Sequence, residues 1–190
     1  MLLAPYFFSS HSCPSFIRPV RNGWSTILWA WLPVLLFLGL LCVESSAMMG
    51  SDRTSAPLHA LSHVVSGAQF DSHWTIIHRL VRKMGHFVAY GILSLVLLRA
   101  VAMTLQSSYA WVLAEMRLQL IAVAGTFAVA MLDELHQAFV PNRTGKFADV
   151  LLDTAGAIAL QLLLRLVVYG AAWLRVQGEI FSARAEGAGV

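Results

Sequence analysis

Charge is what this sequence has least of. Only 12% of its 190 residues are Asp, Glu, Lys or Arg, against 58% hydrophobic, where an ordinary soluble domain carries about 25% charged residues. Water is a poor solvent for such a chain. The two cysteines, Cys13 and Cys42, exclude a disulfide framework, and Cys42 lies in an apolar run where a thiol behaves as a small hydrophobe. A strongly basic surface is also missing. The net charge is +3 and the basic residues sit at segment ends rather than in a stripe interleaved with aromatics, so no nucleic-acid partner is expected. No nucleophilic serine elbow, Gly-rich phosphate loop or paired CxxC is present, and Ser45 and Ser46 carry no mark of activation. Glu134-Leu135-His136 is not a helical zinc motif, because its two polar residues point about 200° apart. Neither a cofactor nor a metal is expected.

What the chain does have is long uncharged runs. Trp24 to Val43 gives 20 residues without a charge, opened by Trp24, Trp29 and Trp31, the length a helix needs to cross hydrocarbon. A cleaved signal peptide fits less well, since its apolar core is shorter. The sequence predicts an all-α membrane protein: a basic flexible leader over 1–23, a domain over 24–175 with four spans at about 24–44, 84–105, 118–139 and 147–168, and a loose tail over 176–190. Between the first two spans, Asp52, Arg53, Pro57, Gly67 and Asp71 break the apolar pattern. Thr54 or Ser55 is expected to cap a short amphipathic helix with Leu58, Leu61 and Val65 on one face, lying on the membrane or capping the bundle, and Asp71 or Ser72 to cap the next helix, which runs through Arg79, Arg82 and Lys83 into the apolar Met84–Leu98. The third span is uncharged only over Leu118–Leu132, so it crosses only if Asp133, Glu134 and Gln137 belong to the same helix with their side chains turned inward. Pro141, Asn142, Thr144 and Gly145 then make a tight connection to the fourth. Four spans put both termini on one side. Basic residues in the short loops divide six to six between the sides, so the positive-inside rule assigns no orientation.

Three polar stripes converge where these spans meet one membrane surface. Arg79, Arg82, Lys83, His86 and Tyr90 fall on one face at the start of the second span. Glu134 and Gln137 are one turn apart in the third, on the side of Ala130, and Asp149, Asp153 and Gly156 align in the fourth. Carboxylates beside hydrocarbon cost roughly 2.5 kcal/mol or more each at mid-membrane, so they usually face a protein interior, a wet cavity or a partner charge. Simpler roles compete. Arg82 and Lys83 also read as interfacial anchors, Tyr90 as a packing aromatic and His86 as a structural hydrogen-bonding group. Glu134 and Asp149 also read as partners of Arg143 or Lys83 in an ion pair that locks the bundle. Asp133 and His136 turn away from Glu134 and are expected to make local bonds or meet headgroups. His11, His59, His63, His73 and His78 are dispersed through leader and loop.

Together these residues resemble the VanZ-like family of small bacterial membrane proteins. The matching pieces are Glu44-Ser45-Ser46 after the first span, Arg82-Lys83-Met84-Gly85-His86-Phe87 with Tyr90, and Glu134-x-x-Gln137 with Phe139, Pro141 and Arg143, continuing through Asp149 to Gly156. Asp153 departs from the pattern, which usually has asparagine there, and adds a carboxylate. The resemblance implies a multi-pass protein of the bacterial cytoplasmic (inner) membrane and cell envelope. The family takes its name from a protein linked to teicoplanin resistance.

Three functions follow as expectations. In the first, Lys83, His86, Tyr90, Glu134, Gln137, Arg143, Asp149 and Asp153 bind a polar envelope ligand: a lipid headgroup, a lipid-linked wall precursor or a glycopeptide-related group. Mixed-sign charge suits such a ligand, because Arg143 can clamp an anion while Glu134 accepts donors. In the second, Glu134 or Asp149 acts as base and His86 as acid on a lipid-linked substrate. Proton-coupled transport draws on the same carboxylates but needs a homo-oligomer to build a path from four spans.

Overall fold

The computed structural model describes residues 23–46, 51–105, 116–140 and 145–187. Every regular element among them is helical: α1 (Trp24–Ser45), α2 (Ser51–Ser66), a 3-10 turn (Gly67–His73), α3 (Trp74–Thr104), α4 (Met116–Phe139) and α5 (Phe147–Gly187). Four stretches, Trp24–Ser45, Asp71–Thr104, Met116–Phe139 and Phe147–Phe181, are long and apolar enough to cross a membrane. The amphipathic helix expected in the first loop is α2. Its start at Ser51 puts Thr54, Ser55 and Pro57 inside the helix rather than at its boundary. Asp71 does not cap α3 either. Its carboxylate is held by His59 and His63, while His73 occupies the N-cap position and makes no side-chain cap. Residues after Arg175, expected as a loose tail, continue α5 to Gly187.

Helix α3 is the hub, packed against α1, α4 and α5. Leu, Ile, Val and Phe side chains are exposed all around the outside of the bundle, including Leu36, Ile92, Leu132 and Leu163, as suits a surface facing lipid. Hydrocarbon offers no hydrophobic drive to pair such helices, so close packing of small residues and interhelical hydrogen bonds must hold them. Ala30, Ala100, Ala130 and Ala157 are fully buried between the helices. At the α3–α5 crossing a Cβ on Gly156 would lie 2.0 Å from the Phe87 carbonyl oxygen, and one on Gly91 would lie 3.0 Å from the Gly156 carbonyl oxygen. Glycine is what lets these backbones touch. One turn further, the Ser94 hydroxyl donates to the carbonyls of Gly91 (2.7 Å) and Ala157 (3.3 Å), and Gln161 Nε2 donates to the Ser94 carbonyl at 3.0 Å.

That last bond is expected to matter little. Interhelical hydrogen bonds within membranes average about 0.6 kcal/mol in double-mutant cycles, and Gln161 Oε1 accepts no hydrogen bond among the described residues although it is buried. Replacing Gln161→Leu removes both the bond and the unsatisfied acceptor. The expected change in SDS-induced unfolding is under about 1 kcal/mol, and a loss above about 2 kcal/mol would instead make this bond a main tie between α3 and α5.

Candidate functional site

A cleft of about 400 Å³ opens at one end of the bundle, and four elements line it: Ser55 from α2, Arg79, Lys83 and His86 from α3, Glu134 and Gln137 from α4, and Asp149 and Asp153 from α5. The antiparallel arrangement explains the convergence. The end of α1, the first half of α3, the end of α4 and the start of α5 all lie at this level. Of the residues expected in the site, Lys83, His86, Glu134, Gln137, Asp149 and Asp153 line the cleft. Tyr90 lies just inside it, fully buried and stacked under His86 with ring centroids 6.2 Å apart. Arg143 lies outside the described residues.

Glu134 is fixed by the chain reversal next to it. Its Oε2 accepts the backbone N–H of Lys146 at 2.6 Å, immediately before the first turn of α5, where unpaired N–H groups and the helix dipole favour an anion. The turn comes so close that a Cβ on Gly145 would lie 2.2 Å from the Glu134 carbonyl oxygen, so glycine alone fits. Across the cleft, Lys83 Nζ meets Asp149 Oδ1 at 2.5 Å, tying α3 to α5. Both side chains keep substantial exposure, so this pair contributes little to stability, and its charges stay within reach of an incoming group.

Deeper in, His86 stands between two carboxylates. Its Nε2 is 3.1 Å from Glu44 Oε1 and its Nδ1 is 3.9 Å from Asp153 Oδ1. Asp153 is 1% exposed, and neither of its oxygens accepts a hydrogen bond among the described residues. A buried carboxylate in that state is costly and calls for a donor. The Ser45 hydroxyl donates to Asp133 Oδ1, and Gln137 Nε2 donates to Asp133 Oδ2 at 2.9 Å. Asp133 therefore turns inward although it lies one 100° step from Glu134, because helix α4 is covered by α1 and α3 as well as α5, and its bond from Gln137 is the local one expected. His136 is exposed, as expected.

Charge is unevenly distributed across this site. Exposed or half-buried Arg79, Arg82, Lys83 and Lys146 occupy the mouth with one half-buried carboxylate, Asp149, paired to Lys83, while Glu134, Gln137 and Asp153 are buried at the floor. The residues expected to bind omit Glu44, Asp133 and Lys146, whereas α2 takes the second of its two expected places, capping the bundle. Glu44 had a signal, being the charged residue that ends an uncharged run, and the contact with α3 depends on α1 packing that no local pattern encodes. Helix α2 is fastened over the mouth: Trp74 Nε1 donates to Ser55 Oγ at 2.9 Å, Arg82 donates to Thr54 Oγ1 at 3.3 Å, and Thr54 Oγ1 lies 3.3 Å from His78 Nε2.

A family model described as VanZ/LLP1 matches residues 21–168. The chain belongs to the VanZ/LLP1 family. That match contains α1 through the first half of α5 and so the whole cleft, which makes the polar layer part of the VanZ-like domain rather than an appendage. With its four candidate spans, this VanZ-like chain is an integral membrane protein. No curated protein and no solved structure gives a significant match.

Proposed function

We propose that this VanZ-like protein acts in the bacterial cytoplasmic membrane as a cell-envelope binding protein, holding a phosphate-bearing polar headgroup in the cleft with an ammonium or hydroxyl group directed inward. The observation that carries the reading is the uneven distribution of charge: guanidinium and ammonium groups outnumber the one carboxylate, Asp149, at the mouth, and buried carboxylates and Gln137 form the floor. Arg79 and Lys146 supply donors to an anionic group. Asp153, which accepts no hydrogen bond from the described residues, supplies an acceptor for a donor placed inside. A membrane lipid or a lipid-linked wall precursor has both chemistries on one headgroup, and both reach the cleft from the bilayer.

Native mass spectrometry of protein extracted from its membrane tests this. Wild type should retain headgroup-bearing lipid. Glu134→Gln and the double variant Arg79→Ala/Lys146→Ala should each retain roughly 10- to 100-fold less, the equivalent of losing one or two charge-assisted hydrogen bonds. The same lipids at the same occupancy in all three proteins would remove the binding reading.

The contact between His86 and Glu44 at 3.1 Å favours one alternative, acid–base catalysis on a lipid-linked substrate, because an imidazole oriented by a carboxylate is the usual form of a general acid or base. Product formed from radiolabelled membrane lipid in liposomes by wild type, and not by Glu134→Ala, would select it.

A further inference from the structure

The histidines that look scattered in the sequence are not all scattered in space. His59 and His63 are one turn apart on α2, and Gly67, with φ of +63°, turns the chain so that the 3-10 turn runs back alongside that face. Asp71 then meets both imidazoles, with Oδ1 3.0 Å from His59 Nε2 and 2.7 Å from His63 Nε2. We propose that His59, His63 and Asp71 form a binding site for a divalent transition-metal ion, Zn²⁺ above all, that clamps α2 to the segment entering α3.

The donor set selects the metal class. Two neutral imidazole nitrogens and one carboxylate oxygen suit Zn²⁺ and its late first-row neighbours, whereas Ca²⁺ and Mg²⁺ prefer all-oxygen cages. The ligand atoms all lie within 4.8 Å of one another. Bonds of about 2.0–2.1 Å to a tetrahedral Zn²⁺ set ligand atoms roughly 3.3 Å apart, so the cluster has to rearrange on binding: the carboxylate oxygen withdraws by a few tenths of an ångström and the widest pair of ligand atoms closes by about 1.5 Å. It is free to do so, because the three side chains are 35–42% exposed and none is locked in a core. Exposure also supplies the entry path and leaves room for a fourth, non-protein ligand. Trp74 packs on the His59 ring with centroids 4.6 Å apart, which restricts how that imidazole turns and pre-orients its Nε2.

The position gives the site a consequence. Ser55 and Thr54, one turn before His59, are the α2 residues fastened over the cleft mouth. A metal bridging α2 to the turn before α3 fixes the helix in that place by a second anchor. This inference does not depend on what the cleft binds.

The test uses the full chain, purified without a polyhistidine tag, reconstituted in nanodiscs and stripped with a chelator. Titration with Co²⁺ should produce the visible absorption of a tetrahedral or five-coordinate complex, bleached by added Zn²⁺. Calorimetry with Zn²⁺ should give about one ion per chain. His59→Ala/His63→Ala and, separately, Asp71→Asn should each weaken Zn²⁺ binding by roughly 10- to 100-fold or more, while His73→Ala, outside the cluster, should bind as wild type does. The Asp71→Asn variant keeps the side chain's shape and guards against loss of fold in the double variant. The absence of saturable binding by wild type, or a double variant that titrates like wild type, would overturn the proposal.

Discussion

Replacing His86→Leu should destabilise the protein by about 3 kcal/mol, the lower end of what is seen when one partner of a buried charged cluster is removed. The imidazole stands between Glu44 and Asp153, and its side chain is only 16% exposed. Leucine fills much of the same volume, so packing over Tyr90 is largely kept. What disappears is the group that separates two carboxylates in a region of low dielectric. The loss should therefore depend on Asp153. In an Asp153→Asn background one of the two charges is already gone, and the same His86→Leu change should cost at least about 1 kcal/mol less, within the range of coupling seen between contacting groups. Asp153→Asn alone should be neutral or stabilising, because it removes a carboxylate that accepts no hydrogen bond from the described residues. SDS-induced unfolding followed by tryptophan fluorescence measures all four proteins. Equal His86→Leu effects in both backgrounds would mean that the histidine packs but does not screen.

Gly156→Ala is the second large effect. A single methyl there would sit 2.0 Å from the Phe87 carbonyl oxygen and 2.8 Å from its carbonyl carbon. Both are backbone atoms, so no rotamer change relieves the clash and α3 and α5 must separate. Overpacking of this kind typically costs 1–3 kcal/mol, occasionally more, and here the upper end is expected. Separation also shifts Lys83 and His86 relative to Asp149 and Asp153, so cleft occupancy should fall together with stability. Gly170→Ala and Gly178→Ala on the same helix are the controls. A Cβ at either meets nothing within 4 Å, and alanine in a helix interior should stabilise by about 0.5–1 kcal/mol relative to glycine. If Gly156→Ala unfolds with the controls, the close crossing is not what pairs these helices.

Much of this architecture is legible in the sequence because a bilayer is an undemanding reader: an uncharged run of about 20 residues is enough to announce a span. Helical spacing likewise foretells that Glu134 and Gln137 share a face with Ala130, and all three are buried. What stays hidden depends on contacts between distant segments. Asp133 lies one 100° step from Glu134, and its partner Ser45 comes from α1, which spacing within α4 does not reveal. Glu44 joins the site only because α1 and α3 run antiparallel. The meeting of His59, His63 and Asp71 needs the chain reversal at Gly67, which spacing along the sequence does not reveal. The start of α3 at Trp74, ten residues before the apolar run, lies two or three residues past the cap expected at Asp71 or Ser72, because the breakers there mark a boundary that hydropathy alone does not.

Helix α5 has 41 residues, so at 1.5 Å per residue it is about 60 Å long, roughly twice the 30 Å depth of hydrocarbon. Its first turn is already committed to the cleft. The far end must then either tilt steeply or stand out past the opposite leaflet as a rod, giving the molecule a recess on one face of the membrane and a handle on the other.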